Sequence, residues 1–209
     1  MPKTSSTPRM SKSIAKVEVA PTASAAPAKL KSFRQTAPDH REFSFTRFWW
    51  EGAGPRSGIM PWVYKKMKPG DDPDFGWAAK TEILLPPTAP SDYMNVNFLL
   101  KQFDDTLPPF ERHAMIQVKI ALPADEPWHA GYERVRAYAH AHFTRRFPVI
   151  PVVHVPSIAG LRGYGSHVHC IVLSRPLTIN GLQGACHHLC SDRGYADALA
   201  AWRNWRAAA

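Results

Sequence analysis

The sequence lacks any apolar run of the length that a membrane crossing requires, about 18 to 20 residues. Its N-terminus also lacks the apolar centre of a secretory signal, so we expect a cytosolic protein without a membrane span. Cysteine is scarce, with three in 209 residues, an odd number that is too small for a disulfide framework. This scarcity favours reduced thiols, as is usual in the cytosol.

Acidic residues are also in deficit, with 17 Asp and Glu against 26 Lys and Arg, so the formal net charge is +9. This balance favours a polyanionic partner, because Lys and Arg neutralise phosphate or an anionic surface. Seven Trp, six Tyr and ten Phe provide flat rings on which bases can stack. Charge by itself does not distinguish DNA from RNA or from an anionic membrane.

The N-terminal part of the chain differs in composition from the rest. Residues 1–41 contain few large apolar side chains and carry eight Lys or Arg against two acidic residues. Such a segment cannot bury enough apolar surface to offset the entropy lost on ordering. We therefore predict a disordered basic arm over 1–41 and one folded domain over 42–209. The arm would attract phosphate without sequence preference, or serve as a solubilising tail without a partner.

Hydrophobic periodicity and turn signals predict an α+β fold, in which helices pack on a central antiparallel sheet. A helix over 127–147 is the clearest element, because Pro127 opens it and aromatic residues recur at helical spacing. The other predicted elements are strands over 42–50, 80–85 and 113–122, a helix over 95–106, and one or two helices over 184–209, broken near Gly194.

Two short β-branched runs, 149–154 and 167–174, are separated by a glycine-rich loop, and we predict that they pair as antiparallel strands. Side chains alternate between the two faces of a strand, so His167 and His169 project to one face. His154 ends the first run and joins them if the two strands pair in register. The histidine motif then lies in the middle of the sheet.

Three imidazoles on one face form a ligand set for a divalent metal, because neutral imidazole nitrogen binds Zn, Mn, Fe or Cu. They also leave coordination positions open, where chemistry can take place. A single histidine on a strand is usually structural. Here the period-two spacing coincides with a third histidine on the neighbouring strand, so we predict that His154, His167 and His169 bind a metal ion.

A further histidine-bearing segment, CHHLC at 186–190, is similar in composition to a zinc knuckle. A structural zinc site normally needs two separated ligand pairs, and the second pair is missing unless the strand histidines supply it. The segment also fits a helix. We therefore exclude it from the predicted metal site.

Three segments carry a resemblance to a known family: TEILLPPTAP at 81–90, VKIALPADEP at 118–127 and SHVHCIVLSRPL at 166–177. In the first two a strand ends in Leu-Pro, and in the third two histidines flank one apolar residue, Val168. The chain resembles the plasmid mobilisation relaxases of the MobA/MobL type, which belong to the HUH endonuclease superfamily. The resemblance covers residues 43–205.

This resemblance implies a metal-dependent, strand-specific nick in DNA at a plasmid origin of transfer. In such enzymes a tyrosine attacks the scissile phosphate, keeps the 5′ end as a phosphotyrosine and frees a 3′ hydroxyl. His154, His167 and His169 match the metal ligands, with Mn²⁺ or Mg²⁺ as the expected ion and Zn²⁺ as an alternative. The implied partners are single-stranded DNA at that origin and accessory relaxosome proteins.

The resemblance also implies a nucleophile. Tyr64 follows an N-terminal strand and a Gly-Pro-Arg-Ser-Gly turn, which is the order found in the family. Lys65 and Lys66 beside it would favour the phenolate and bind the DNA backbone. Tyr93 is a second choice, in a loop that offers no neighbouring cation.

Two positions depart from the family pattern. Gln117 stands where relatives carry a Glu, and Ser166 stands where many have an Asn or Gln and a Pro before the histidine pair. These departures favour a catalytically inactive DNA-binding remnant as one alternative. A rolling-circle replication initiator or single-tyrosine transposase is another, with Tyr195 as its nucleophile. Arg162 and Arg175, which flank the histidine strand, are predicted phosphate contacts.

Overall fold

The computed structural model describes residues 26–68, 78–161 and 163–208, which form a six-stranded sheet, a two-stranded ribbon and four α-helices. The strands of the sheet are β1 (Lys29–Ala37), β2 (His40–Glu51), β3 (Ala78–Thr81), β4 (His113–Ala121), β5 (Val149–His154) and β6 (His167–Leu173). The ribbon consists of β7 (Leu177–Thr178) and β8 (Gly181–Leu182). The helices are α1 (Met60–Met67), α2 (Val96–Asp105), α3 (Trp128–His142) and α4 (Asp192–Ala208).

The sheet has the strand order β1-β2-β4-β6-β5-β3, and every neighbouring pair in it is antiparallel. The central position of β6 places the histidine motif inside the sheet, between β4 and β5. The predicted α+β class and the central antiparallel sheet are therefore confirmed. So is the antiparallel pairing of the two histidine-bearing strands.

Helices cover both faces of the sheet, and this explains the long apolar runs of the central strands. Ile116 and Val118 of β4 pack with α3 and α4, on what we call the α3/α4 face. Ile171 of β6 and Val152 of β5 pack with α1 and α2, on the α1/α2 face. A strand covered on both sides needs apolar residues at successive positions instead of strict alternation.

α2 matches its predicted bounds, whereas α3 ends at His142 and α4 begins only at Asp192, and the sequence did not predict α1. Asn95 caps α2, since its side chain accepts a hydrogen bond from the Phe98 backbone N–H at 3.1 Å. Gly194 lies inside α4 and does not break it. A Cβ at Gly194 would lie 2.3 Å from the Leu189 carbonyl oxygen, so the glycine permits a close approach of the preceding segment. Among the described residues, no helix combines the length and apolarity that a membrane crossing requires.

The hairpin of β1 and β2 corrects the boundary predicted for the N-terminal arm. Lys29–Ala37, placed in the arm by composition, pair with β2 along their whole length. Most β1 side chains are exposed, so the strand lacks the apolar alternation of a half-buried strand and is held by backbone pairing at the sheet edge. The turn pair Pro38-Asp39 is the signal for this hairpin in the sequence. Residues 1–25 of the predicted arm lie outside the described residues.

The other edge of the sheet also differs from its prediction. β3 covers Ala78–Thr81, whereas the sequence predicts a strand over 80–85. Beyond β3 only Leu84 makes a further bridge, exchanging backbone hydrogen bonds of 2.8 and 2.9 Å with Val149. Pro86 and Pro87 follow after Leu85, and proline lacks the N–H that a continuing ladder needs.

Candidate metal centre

The register between β5 and β6 brings the three histidines together. His154 lies directly opposite His167, and Val152 lies opposite His169. By the alternation of side chains along a strand, all three histidines project to the same side of the sheet as Val152 and Ile171, which is the α1/α2 face. The predicted convergence of the three side chains is therefore present.

The three imidazole rings form a tight group. Their centroids are 5.2 Å apart for His154 and His167, and 4.8 Å apart for His169 and either of the others. One ring nitrogen from each residue lies within 4.8 Å of the other two. His154 and His169 are buried, with 1% and 4% exposure, while His167 is partly exposed at the rim. This group could hold a divalent metal ion.

The hydrogen bonds of the rings fix which nitrogens remain as acceptors. Nε2 of His154 lies 2.8 Å from the Lys66 carbonyl oxygen, so it carries the proton and leaves Nδ1 free of one. Nδ1 of His167 lies 3.1 Å from the Gly165 carbonyl oxygen, which leaves Nε2 as the acceptor. These backbone contacts orient the rings as outer contacts do in metal sites.

His169 provides the observation that fits a metal best. Its Nδ1 is buried and has no hydrogen-bond partner among the described residues. A buried polar nitrogen without a partner is unfavourable, and a coordinated ion would satisfy it. The donor chemistry agrees, because three neutral imidazoles suit a first-row divalent ion.

Electrostatics keeps the rings in the neutral form that a metal requires. Burial, together with the charge of nearby Lys119, lowers the pKa of His167 to about 4. Burial also lowers the pKa of His154 and holds the pKa of His169 well below its usual range. Proton competition for the ring nitrogens is therefore weak at neutral pH.

The histidines open into a cavity of about 310 Å³ whose wall also includes two lysines. Lys66 belongs to α1, and Lys119 of β4 lies directly opposite His169 in the sheet. Burial lowers the pKa of both lysines. Among the described residues, no acidic side chain lines the cavity. Its charge therefore favours an anionic ligand such as a phosphate group.

Sequence reasoning did not identify two of the lining residues with polar side chains, Lys119 and Tyr164. Lys119 has a detectable signal, because it is polar at a position of β4 whose neighbours Val118 and Ile120 are buried. Tyr164 lies in the loop before β6, is 59% exposed and lines the cavity beside the histidines. The sequence offers no comparable signal for its position.

Tyr64 and its neighbours lie on α1, whose C-terminal end contacts the metal centre. The Tyr64 hydroxyl donates a hydrogen bond to Oδ1 of Asn97 on α2, and Tyr64 is not part of the described cavity wall. Lys65 is exposed, whereas Lys66 lines the cavity and has its Nζ 5.6 Å from the Trp62 ring centroid. Of the predicted nucleophile and its two lysines, only Lys66 therefore faces the histidines.

The two predicted arginine contacts have different outcomes. Arg162 lies outside the described residues. Arg175 is only 4% exposed, and its guanidinium donates to the Leu182 carbonyl at 2.9 Å and to the Thr106 hydroxyl at 2.8 Å. The structure corrects its predicted role, because this side chain joins the β7–β8 ribbon to the end of α2 instead of facing solvent. Burial of an arginine requires such partners, and composition does not reveal them.

The other two tyrosines named as candidate nucleophiles, and Gln117, lie away from solvent or from the imidazoles. Tyr195 packs edge-on against Phe45, with centroids 5.9 Å apart, on the α3/α4 face. The sheet therefore separates Tyr195 from the imidazoles. Tyr93 is buried at 8% exposure against Phe98. Gln117 is also 8% exposed, and its buried Oε1 has no hydrogen-bond partner among the described residues.

Comparison with known proteins adds one finding about the fold. No protein-family model matches the chain, and no curated protein matches it. The chain is similar to a solved structure described as the molecular basis of vancomycin resistance transfer in Staphylococcus aureus. The TM-score is 0.52 with 16% sequence identity, over 61% of this chain and 67% of that one. The two proteins share a fold.

Proposed function

We propose that this protein is a metal-dependent relaxase that nicks and rejoins one DNA strand at a plasmid origin of transfer. The observation that carries the proposal is the convergence of three neutral imidazoles in a cavity walled by two lysines. Metal ligands and cations side by side suit a phosphodiester, which needs both charge neutralisation and alignment. The fold shared with a protein of resistance transfer supports the same function.

His154, His167 and His169 are the proposed ligands of the ion. Mn²⁺ or Mg²⁺ is the expected ion, and Zn²⁺ also suits imidazole ligands. When bound, such an ion polarises the phosphate oxygens and offsets the negative charge that develops on them. The protein's own contribution is to hold the three rings neutral and oriented by the carbonyls of Lys66 and Gly165.

The two cavity lysines are proposed to bind the DNA backbone. Lys66 and Lys119 approach from opposite elements, a helix and the central strand β4. A phosphate between them would gain from both charges in a half-buried environment, where screening by salt is weaker than at the surface. The basic residues of the N-terminal 1–41 segment would add attraction without sequence preference.

A tyrosine hydroxyl is the proposed nucleophile. Its oxygen forms the new bond to phosphorus, the bond from phosphorus to the 3′ oxygen breaks, and the 3′ hydroxyl leaves with a proton. Tyr64 is the candidate that the family resemblance implies, on the helix that contacts His154. Tyr164 is a second candidate because it lines the cavity. The phosphotyrosine stores the bond energy, which allows the strand to be rejoined.

Tyr195 and Gln117 bear on the two alternatives to a relaxase. A rolling-circle initiator or single-tyrosine transposase would use Tyr195, but that ring packs on the face opposite the imidazoles. An inactive DNA-binding remnant would explain Gln117, whose amide cannot act as a base as a carboxylate can. The relaxase remains the better explanation, because an inactive remnant has no need of three convergent imidazoles with an unpartnered nitrogen.

A covalent-capture experiment tests the proposal. The full chain is incubated with a random single-stranded DNA library and Mn²⁺, and covalent complexes are isolated under denaturing conditions and sequenced. We expect one recurrent cleavage sequence, with the protein on the 5′ end of the DNA and a free 3′ hydroxyl. Chelation of the metal should abolish the adduct. DNA binding without any covalent species would instead support the inactive remnant.

Tyrosine variants then identify the nucleophile. Tyr64→Phe, Tyr164→Phe and Tyr195→Phe each remove one hydroxyl while keeping the ring. Loss of the adduct in Tyr64→Phe alone supports the family-derived assignment. Loss in Tyr164→Phe alone moves the role to the loop before β6, and loss in Tyr195→Phe alone supports the initiator or transposase.

A further inference from the structure

A second group of possible metal ligands lies at the other end of β4. His113 begins β4, Glu111 precedes it by two residues, and His187 lies in the segment before α4. One ligand atom from each residue lies within 4.8 Å of the other two. Because Ala121 pairs with His167 at the far end of β4, the strand's own length, roughly 25 Å, separates this group from the three-histidine site.

The contacts in this group centre on the buried carboxylate of Glu111. Glu111 is 6% exposed, and its Oε1 accepts a hydrogen bond from the His113 backbone N–H at 2.7 Å. Its Oε2 lies 3.1 Å from Nε2 of His187. The His113 and His187 rings have centroids 4.8 Å apart. The carboxylate is thus oriented by the backbone and directed at two imidazoles.

We propose that Glu111, His113 and His187 hold a Zn²⁺ ion that joins the start of β4 to the segment before α4. Two imidazoles and one carboxylate are a donor set that Zn²⁺ uses, and the carboxylate offsets part of the ion's charge. Of the CHHLC segment, 186–190, His187 alone takes part in the proposed site, and the fold supplies Glu111 and His113 as the other two ligands.

Access and space are consistent with an ion at this position. The His187 side chain is 71% exposed, so an ion can reach the group from solution. His113 lines a cavity of about 510 Å³ together with Cys190, which leaves room for a water ligand. Oε1 of Glu111 keeps its backbone hydrogen bond while Oε2 exchanges its contact with His187 for the ion.

A direct Glu111–His187 ion pair is the competing explanation, and zinc stoichiometry distinguishes the two. The test uses the full chain carrying His167→Ala, which removes a ligand of the first site. The protein is stripped with a chelator, loaded with Zn²⁺, freed of excess by gel filtration and analysed for metal. We expect the His167→Ala protein to retain a zinc ion, and His167→Ala/His187→Ala to retain none. Absence of zinc from the first variant, or its presence in the second, overturns the proposal.

The matched control is His188→Ala in the same background. His188 is the adjacent exposed histidine, and its Nε2 lies 2.6 Å from Oδ2 of Asp197. This variant should bind zinc as its parent does. A second readout guards against misfolding: Zn²⁺ should raise the Tm of the His167→Ala protein. Glu111→Gln in that background should remove this increase and weaken zinc binding at least tenfold, and an unchanged increase counts against the proposal.

Discussion

The two histidine clusters at opposite ends of β4 differ in charge balance and in access. His154, His167 and His169 have no acidic partner in their described cavity and lie beside two lysines. The other cluster contains the carboxylate of Glu111 and the exposed ring of His187. Buried imidazoles beside cations stay neutral, so their lone pairs remain available to a metal ion. An imidazole beside a carboxylate can also be satisfied by protonation alone.

This difference in charge and access indicates which cluster can take part in a reaction. The first cluster opens into a cavity with cations that attract phosphate, so an ion held there would meet a substrate. The second joins two chain segments that are far apart in sequence, so an ion there would act mainly on stability. Loss of the first cluster should therefore affect DNA cleavage, and loss of the second should affect unfolding.

The largest expected effect is the loss of cleavage on removing one ring of the first cluster. His167→Ala should reduce nicking by about 100-fold or more, because several kcal/mol of charge stabilisation are lost with the metal. Adduct formation on denaturing gels measures the effect. His140→Ala, which removes an exposed histidine of α3, is the control and should nick normally. Normal nicking by the His167→Ala protein would separate the first cluster from the chemistry.

The next effect is the pH dependence of the free energy of unfolding of the metal-free protein. Burial and Lys119 lower the pKa of His167 from 6.5 in the unfolded chain to about 4 in the fold. Between these values the unfolded state binds more protons, so the free energy of unfolding should fall as pH decreases from 6.5 toward 4. Urea unfolding across this range measures it, and His167→Gln should give a shallower dependence.

The carboxylate of the second cluster should respond at lower pH. Burial raises the pKa of Glu111, but the hydrogen bonds from the His113 N–H and from His187 outweigh it and leave the pKa below 4.5. Its contribution to stability is therefore present above pH 4.5 and is lost as pH falls through the lowered value. Burial also lowers the pKa of His113, so both clusters lose stability as pH falls below 6.5, and only the Glu111 contribution is lost at lower pH. Urea unfolding below pH 4.5 measures that contribution, and the same pH dependence in Glu111→Gln and the parent protein would argue against it.

A smaller effect is expected from removing the buried carboxylate at neutral pH. Glu111→Gln should lower the free energy of unfolding of the metal-free protein by about 1 to 2 kcal/mol, because a charge-assisted hydrogen bond to His187 is weakened. Nicking should stay at the parent level. Urea unfolding and the gel assay together measure this, and a parallel loss of nicking would show that the clusters act as one unit.

The smallest expected effect is on DNA binding through Lys119. Lys119→Met should weaken binding of single-stranded DNA about equally across sequences and reduce the salt slope by about one unit. Binding titrations at several salt concentrations measure both quantities. Lys101→Met is the control, since Lys101 is exposed on α2 and pairs with Asp105. A change in sequence preference would show that Lys119 reads bases instead of phosphate.

Local patterns predicted much of the fold and the centre of the site. The run 167–174 and its period-two histidines predicted β6, and Pro127 with aromatic spacing predicted α3. The β1 strand was missed, because an exposed edge strand carries no apolar alternation and depends on backbone pairing with β2. Tyr64 as nucleophile stays a prediction, because the family resemblance specifies an order along the chain and not where a hydroxyl points.

Sequence alone determined which side chains of one strand share a face, because alternation is a property of the extended backbone itself. This is why His167 and His169 had to project together. Tertiary structure alone decided that Lys119 lies opposite His169 and that Arg175 is buried under its hydrogen bonds. It also brought His187 to Glu111, 76 residues apart. Such contacts depend on how the whole sheet and its helices pack, and no local pattern records that packing.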